Sequence, residues 1–82
     1  MKVYRKPEIL DAQQWDGSTE TARELGLVLL DDQIVRGRRS WYLPTNDGPD
    51  RIVIGDWVLT APTGARTVVR REAMFSLYEV AP

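Results

Sequence analysis

The run Ile52-Val53-Ile54-Gly55-Asp56-Trp57-Val58-Leu59 sets two apolar, largely β-branched segments on either side of a Gly-Asp pair. β-Branched and aromatic side chains suit a pleated, half-buried surface. Glycine gives the backbone freedom for a sharp corner. Aspartate can hydrogen-bond the local backbone in an Asx-type arrangement. The run therefore reads as strand, tight corner, strand. Pro62-Thr63-Gly64 follows at the spacing of a hairpin built on a type I turn with a left-handed glycine, and residues 66–70 supply the partner strand. Arg71-Glu72-Ala73 is expected to form one helical turn or a bend, and residues 74–80 the last strand.

Upstream, residues 2–6 read as a first strand that Pro7 ends, because proline cannot donate to a ladder and holds Lys6 extended. Residues 8–15 suit a second extended segment, with Leu10 and Ala12 on one face and Ile9 and Trp15 on the other. Asp16-Gly17 signals a turn. Ser18 or Thr19 can then cap a helix over 19–25, with Glu20 in its first turn and Gly26 just past its end. Two turns of helix are marginal alone, so Ala22 and Leu25, three apart, are its expected buried contacts. Leu27-Val28-Leu29-Leu30 fits a strand or a continuation of the helix, since four apolar residues do not settle the period. Asp31-Asp32 turns the chain, residues 33–36 extend again, and Arg36-Gly37-Arg38-Arg39 forms a polar turn. Trp41-Tyr42-Leu43 returns as strand, residues 45–50 form a dense turn cluster, and residues 51–54 lead into the Gly-Asp corner. Six to eight short strands and one short helix predict a single α+β domain over 1–82. Its expected form is a small, mostly antiparallel and strongly curved sheet or partial barrel, with the helix at about 19–25.

A chain of 82 residues buries roughly 60–65% of the surface its unfolded form exposes, so its core is small. It contains no cysteine and no histidine. That excludes disulfides, thiolate chemistry and any Ser-His-Asp or Cys-His arrangement, and removes both preferred ligands of zinc. The only lysines, Lys2 and Lys6, lie in the N-terminal arm. Asp31 and Asp32 are adjacent, so on a strand they would face opposite ways. Asn46-Asp47-Gly48-Pro49-Asp50 lacks the alternating acidic ligands and closing glutamate of a calcium loop. No catalytic residue, metal or cofactor is expected, and the chain reads as a non-enzyme. Its longest apolar run, residues 25–30, is too short for a bilayer, and no apolar stretch follows the charged N-terminus as in a signal peptide. No membrane association is expected, and the implied location is a cytoplasm or a virion.

The net charge is −1, but nine of the eleven cations are arginine, the better side chain for bidentate contact with carboxylate or phosphate. Arg36, Arg38 and Arg39 stand beside Trp41 and Tyr42, and Arg70-Arg71 offers a second basic patch. Guanidinium next to aromatic rings is the composition of sites for nucleotides and single-stranded nucleic acid, where phosphate meets arginine and bases stack. The opposing reading packs Trp41 into the core and leaves the arginines as a solvated surface. Trp15 and Trp57 are expected to be core or half-buried sheet residues.

Taken in order, Ala12-x-x-Trp15-x-Gly17, Thr45-x-x-Gly48, Gly55-Asp56-Trp57, Gly64 and Phe75-x-x-Tyr78-Glu79 resemble a family of small proteins encoded by tailed bacteriophages and prophages. The likeness spans nearly the whole chain. It departs at Gly64-Ala65, where the family often has Gly-Glu, and at Phe75-x-x-Tyr78, where the family spacing is one residue longer; residues 31–40 read as a local elaboration. The resemblance implies a phage setting and no particular activity. The expected function is that of an accessory domain binding a host or phage protein or a small anionic, nucleotide-type ligand in the host cytoplasm, in host modulation or counter-defence. The alternatives are a minor virion or assembly protein and a single-stranded nucleic-acid-binding module. A homodimer would cover an open sheet edge and supplement a small core.

Overall fold

The chain leaves one sheet, builds a second, and re-enters the first at the point where it left. The structure, a computed structural model, describes residues 1–81. Its elements are β1 (Lys2–Arg5), β2 (Glu8–Gln14), α1 (Thr19–Glu24), β3 (Val28–Asp31), β4 (Arg39–Thr45), β5 (Gly48–Ile52), β6 (Trp57–Thr60), β7 (Arg66–Val69), α2 (Met74–Leu77) and β8 (Glu79–Val80). A five-stranded sheet runs β7-β6-β2-β1-β8, and β3-β4-β5 form a three-stranded meander. Every pairing is antiparallel. Helix α1 and the meander are thus an insertion between β2 and β6, which pair from Asp11↔Thr60 to Gln14↔Trp57. Two backbone bonds staple the ends of the insertion: Trp15 N–H donates to the Asp56 carbonyl and Gly55 N–H to the Trp15 carbonyl, both at 2.9 Å.

The two faces of the larger sheet carry the two halves of the core. Val58 and Val68 meet Trp15, Ala22, Leu25, Leu27, Leu43 and Ile52, which joins the insertion to the sheet. On the opposite face Val3, Leu10, Ala12, Leu59 and Val69 are closed over by Met74 of α2. Alternation along β2 and β6 puts Leu10, Ala12 and Leu59 on one side and Val58 on the other.

The first helix forms as the sequence predicts. Ser18 caps it by accepting from Thr21 N–H, Ala22 and Leu25 are buried, and Gly26 follows at the end. Arg66 of β7 donates to the Leu25 carbonyl at 2.6 Å, which satisfies a helix-end acceptor from the other sheet. Residues 28–31 are strand, so the apolar run does not prolong the helix.

Five features differ from expectation. The strands are divided between two open sheets, where the sequence suggests one curved sheet or partial barrel. Residues 74–77 are a helical turn rather than strand, because Met74 is fully buried against the sheet while Tyr78 N–H returns to the Met74 carbonyl at 3.0 Å. This makes a second short helix. Residues 33–36 do not extend, since the Asp32 carboxylate captures Ile34 and Val35 N–H at 2.7 and 3.0 Å. The strand expected at 51–54 stops at Ile52, because Asp56 Oδ2 accepts Val53 N–H at 3.1 Å and folds the chain into the corner. In the 45–50 cluster only Asn46-Asp47 turns; Gly48 already begins β5.

Candidate functional site

Trp15 is the residue on which the site is built. It stands where β2 ends, nearly fully buried, and its indole Nε1–H donates to the Ser18 carbonyl at 3.0 Å. Trp41 of β4 meets it edge to face, with ring centroids 5.9 Å apart at 66°. Such aromatic pairs add about 0.5–1.5 kcal/mol beyond the area they bury. Trp41 is only half-buried, and its outer part faces an open groove of about 400 Å³.

Three arginines line that groove. Arg38 closes the 32–38 loop, Arg39 opens β4, and Arg51 lies near the end of β5. Its apolar rim is Val53 and Ile54, the latter 63% exposed. Gly17 makes the approach of Ile54 possible. Its φ is +87°, and a Cβ there would fall 2.6 Å from Ile54 Cγ1.

The three cations are held to different degrees. Arg39 Nη2 donates to the Leu29 carbonyl at 3.1 Å. Arg51 Nη2 reaches Asp32 Oδ2 at 3.3 Å, while its Nε is buried and has no partner among the described residues. An unpaired buried donor costs about 1–3 kcal/mol and marks a place where the fold is not arranged for stability alone. Arg38 makes no ion pair among the described residues.

Asp32 shapes the loop behind these arginines. Its carboxylate accepts from Ser40 Oγ at 2.6 Å, from Ile34 and Val35 N–H, and from Arg51. These bonds stabilise the charged form, the Ser40 hydroxyl most of all, and hold its pKa far below the ordinary carboxylate range. Arg51 is paired with Asp32, which leaves Arg38 and Arg39 as the two uncompensated positive charges of the groove.

The other expected site residues lie elsewhere. Tyr42 is buried, because neighbours on a strand face opposite ways and Trp41 takes the groove side; its hydroxyl lies 3.5 Å from Gln33 N. Arg36 lines a separate hollow with Asp31, Asp32 and Gln33. Arg70 is spent on the corner, with Nη1 donating to Asp56 Oδ2 at 2.8 Å and to the Arg51 carbonyl at 2.7 Å. Arg71 gives its N–H to Asp56 Oδ1 and its Nε to Glu72, and its side chain lies against Gly55. The arginine pair at 70–71 ties the end of β7 to the corner. Arg51, Val53 and Ile54 were hidden in the sequence inside an apolar strand; the only signal was that Arg51 is the lone cation between Arg39 and Arg66.

The groove suits an anion that carries a flat, apolar part. Guanidinium donors can take phosphate or carboxylate oxygens, and the edge of Trp41 with Ile54 offers a surface for a ring. Among the described residues no group of three or more acidic, histidine or cysteine side chains is placed to hold a metal. Among them, too, no helix is long and apolar enough to cross a membrane. No family model, curated protein or solved structure matches the chain.

Proposed function

We propose that this chain is a non-enzymatic binding domain whose working surface is the groove between Trp41 and Arg38, Arg39 and Arg51. Its ligand is a small anion with a flat ring, of nucleotide type. The observation that carries this reading is the convergence of Arg38 and Arg39, from a loop and a strand, on a half-exposed tryptophan. Phosphate oxygens engage Arg38 and Arg39, and the ring lies on Trp41 and Ile54. The lack of histidine and cysteine supports binding without turnover. The phage-like order of motifs supports an accessory role in an infected host, where a nucleotide-type ligand belongs to host signalling or defence.

Trp15 and Trp41 report on the groove directly, so tryptophan fluorescence can follow a titration with AMP, ATP and inorganic phosphate at fixed salt. Saturable quenching by a nucleotide, weakened at least tenfold by Arg38→Ala, is the expected result. Equal affinity for inorganic phosphate would remove the ring from the reading. Tighter binding of oligo(dT) than of any mononucleotide, falling steeply with salt, would replace it with single-stranded nucleic acid.

A second reading, self-assembly as in a virion or assembly component, draws on β3. It is an edge strand whose Val28 and Leu30 are 37% and 38% exposed beside Ile34 at 82%. Light scattering over a dilution series separates a stable oligomer from a monomer.

A further inference from the structure

The face of the five-stranded sheet that α2 covers is only partly covered. Along β6 and β7 the paired residues on this face shrink from Trp57↔Val69 to Leu59↔Thr67, and then to Ala61 and Ala65, joined by an N–H···O bond of 2.8 Å. Met74 fills the wide end. Over the narrow end the small residues leave a cleft of about 550 Å³, floored by Leu10 and Ala61. That volume falls within the range of small-molecule sites. The cleft lies at the opposite end of β2 from the groove, since Leu10 and Trp15 are about 17 Å apart along an extended strand.

Its polar walls come from three places. Arg5 and Lys6 belong to the β1–β2 turn, Thr63 and Thr67 to the β6–β7 hairpin, and Tyr78 to the segment after α2. Arg5 lies over the Tyr78 ring, 5.7 Å from its centroid. Glu8 is directly across from Arg5 in the β1–β2 register, yet neither Arg5 nor Lys6 forms an ion pair among the described residues. Arg5 is held by the ring with its donors unspent, which is how a guanidinium is prepared for an incoming anion. Two cations and one carboxylate give this cleft a single net positive charge. A monoanion neutralises that charge, whereas a phosphate dianion leaves one negative charge uncompensated beside Glu8 and costs more to desolvate.

We infer that this cleft is a second binding site, for a carboxylate on an apolar body: the carboxylate at Arg5 and Lys6, the apolar part on Leu10, Ala61 and Ala65. A free amphipathic acid and the C-terminus of a peptide share this chemistry.

The test is an NMR titration of the ¹⁵N-labelled protein with hexanoate, N-acetyl-leucine, hexanol and inorganic phosphate, each alone. The expected result is saturable shifts at residues 5–10, 61–67 and 78 for the two carboxylates, at least tenfold weaker in the Arg5→Gln, Lys6→Gln double variant. Ala65→Leu, which fills the hollow and keeps both cations, should also block binding. Tighter binding of N-acetyl-leucine assigns the site to a peptide terminus, and tighter binding of hexanoate to a free acid. Shifts of equal affinity with hexanol, tighter binding of phosphate than of either carboxylate, or no shift at millimolar carboxylate would overturn the inference.

Discussion

Asp56 and Asp32 are both carboxylates drawn beneath the surface, and each ties a turn to an arginine from another strand. Around Asp56 three donors converge. The carboxylate accepts Val53 N–H, Arg71 N–H and Arg70 Nη1, and Arg70 also reaches the Arg51 carbonyl. Around Asp32 the loop is equally well tied, but the arginine is not. Arg51 meets the carboxylate at 3.3 Å against 2.8 Å for Arg70, and keeps a buried Nε without a partner. The first is a closed fastening where the insertion rejoins the sheet. The second is a longer ion pair at the border of the groove. The same pairing of a buried acid with an arginine from elsewhere thus closes a corner in one place and holds a loop beside a groove in the other.

The comparison breaks most visibly at Asp56. Asp56→Ala leaves two part-buried backbone donors and the half-exposed Arg70 guanidinium without their acceptor, and should cost about 3 kcal/mol in urea unfolding. A loss below 1 kcal/mol would show that the corner is not the fastening described. Gly55→Ala comes next, at about 1–2 kcal/mol. The φ of +95° disfavours a side chain, and a Cβ would meet Arg71 Cδ at 2.9 Å.

Asp32→Asn should destabilise less than Asp56→Ala and change the acid limb of stability. The folded-state pKa of Asp32 lies below its ordinary value, chiefly through the Ser40 hydroxyl and the Val35 and Ile34 N–H groups. Its contribution is therefore complete above about pH 4 and is lost as the pH falls from there toward the folded value. Thermal unfolding between pH 5 and pH 2 should fall less steeply for the asparagine variant; parallel curves would contradict this. The smallest stability effect belongs to Arg38→Ala, within about 0.5 kcal/mol of the parent. The same change should weaken nucleotide binding at the groove at least tenfold. If Arg70→Ala weakened binding as much as Arg38→Ala at equal stability, the division between a closed and an available arginine would fail.

Local punctuation was legible in the chain. Ser18 before an Ala-Arg-Glu-Leu stretch with Gly26 behind it specifies the helix and both its ends, because caps and a left-handed glycine act over one turn. Pro62-Thr63-Gly64 likewise specifies the β6–β7 hairpin, and Leu10 and Ala12 were assigned to one face before their partners were known. Residues whose conformation answers to a distant group were misread. Met74-Phe75-Ser76-Leu77 has strand composition, but burial of Met74 and the edge contact of Phe75 with Trp57 at 5.8 Å fold it into a turn of helix. Residues 33–36 were read as extended because nothing in their own composition shows that Asp32 would take two of their backbone donors. Of the basic and aromatic residues named in that segment, Arg38, Arg39 and Trp41 line the groove, while Arg36 and Tyr42 lie elsewhere.

Residue types and short-range spacing alone determined the antiparallel α+β class, the capped helix, the hairpins and the absence of histidine and cysteine chemistry. They also placed Gly55-Asp56 at a corner. Tertiary structure decided that this corner is where an inserted helix and meander are stapled back into the sheet. It decided too that Arg70 ties that corner while Arg51, 19 residues away, reaches Asp32. The reason is physical. Backbone turns depend on neighbours within a few residues, whereas the state of an arginine depends on which acceptors the packed sheets bring within 3 Å of it.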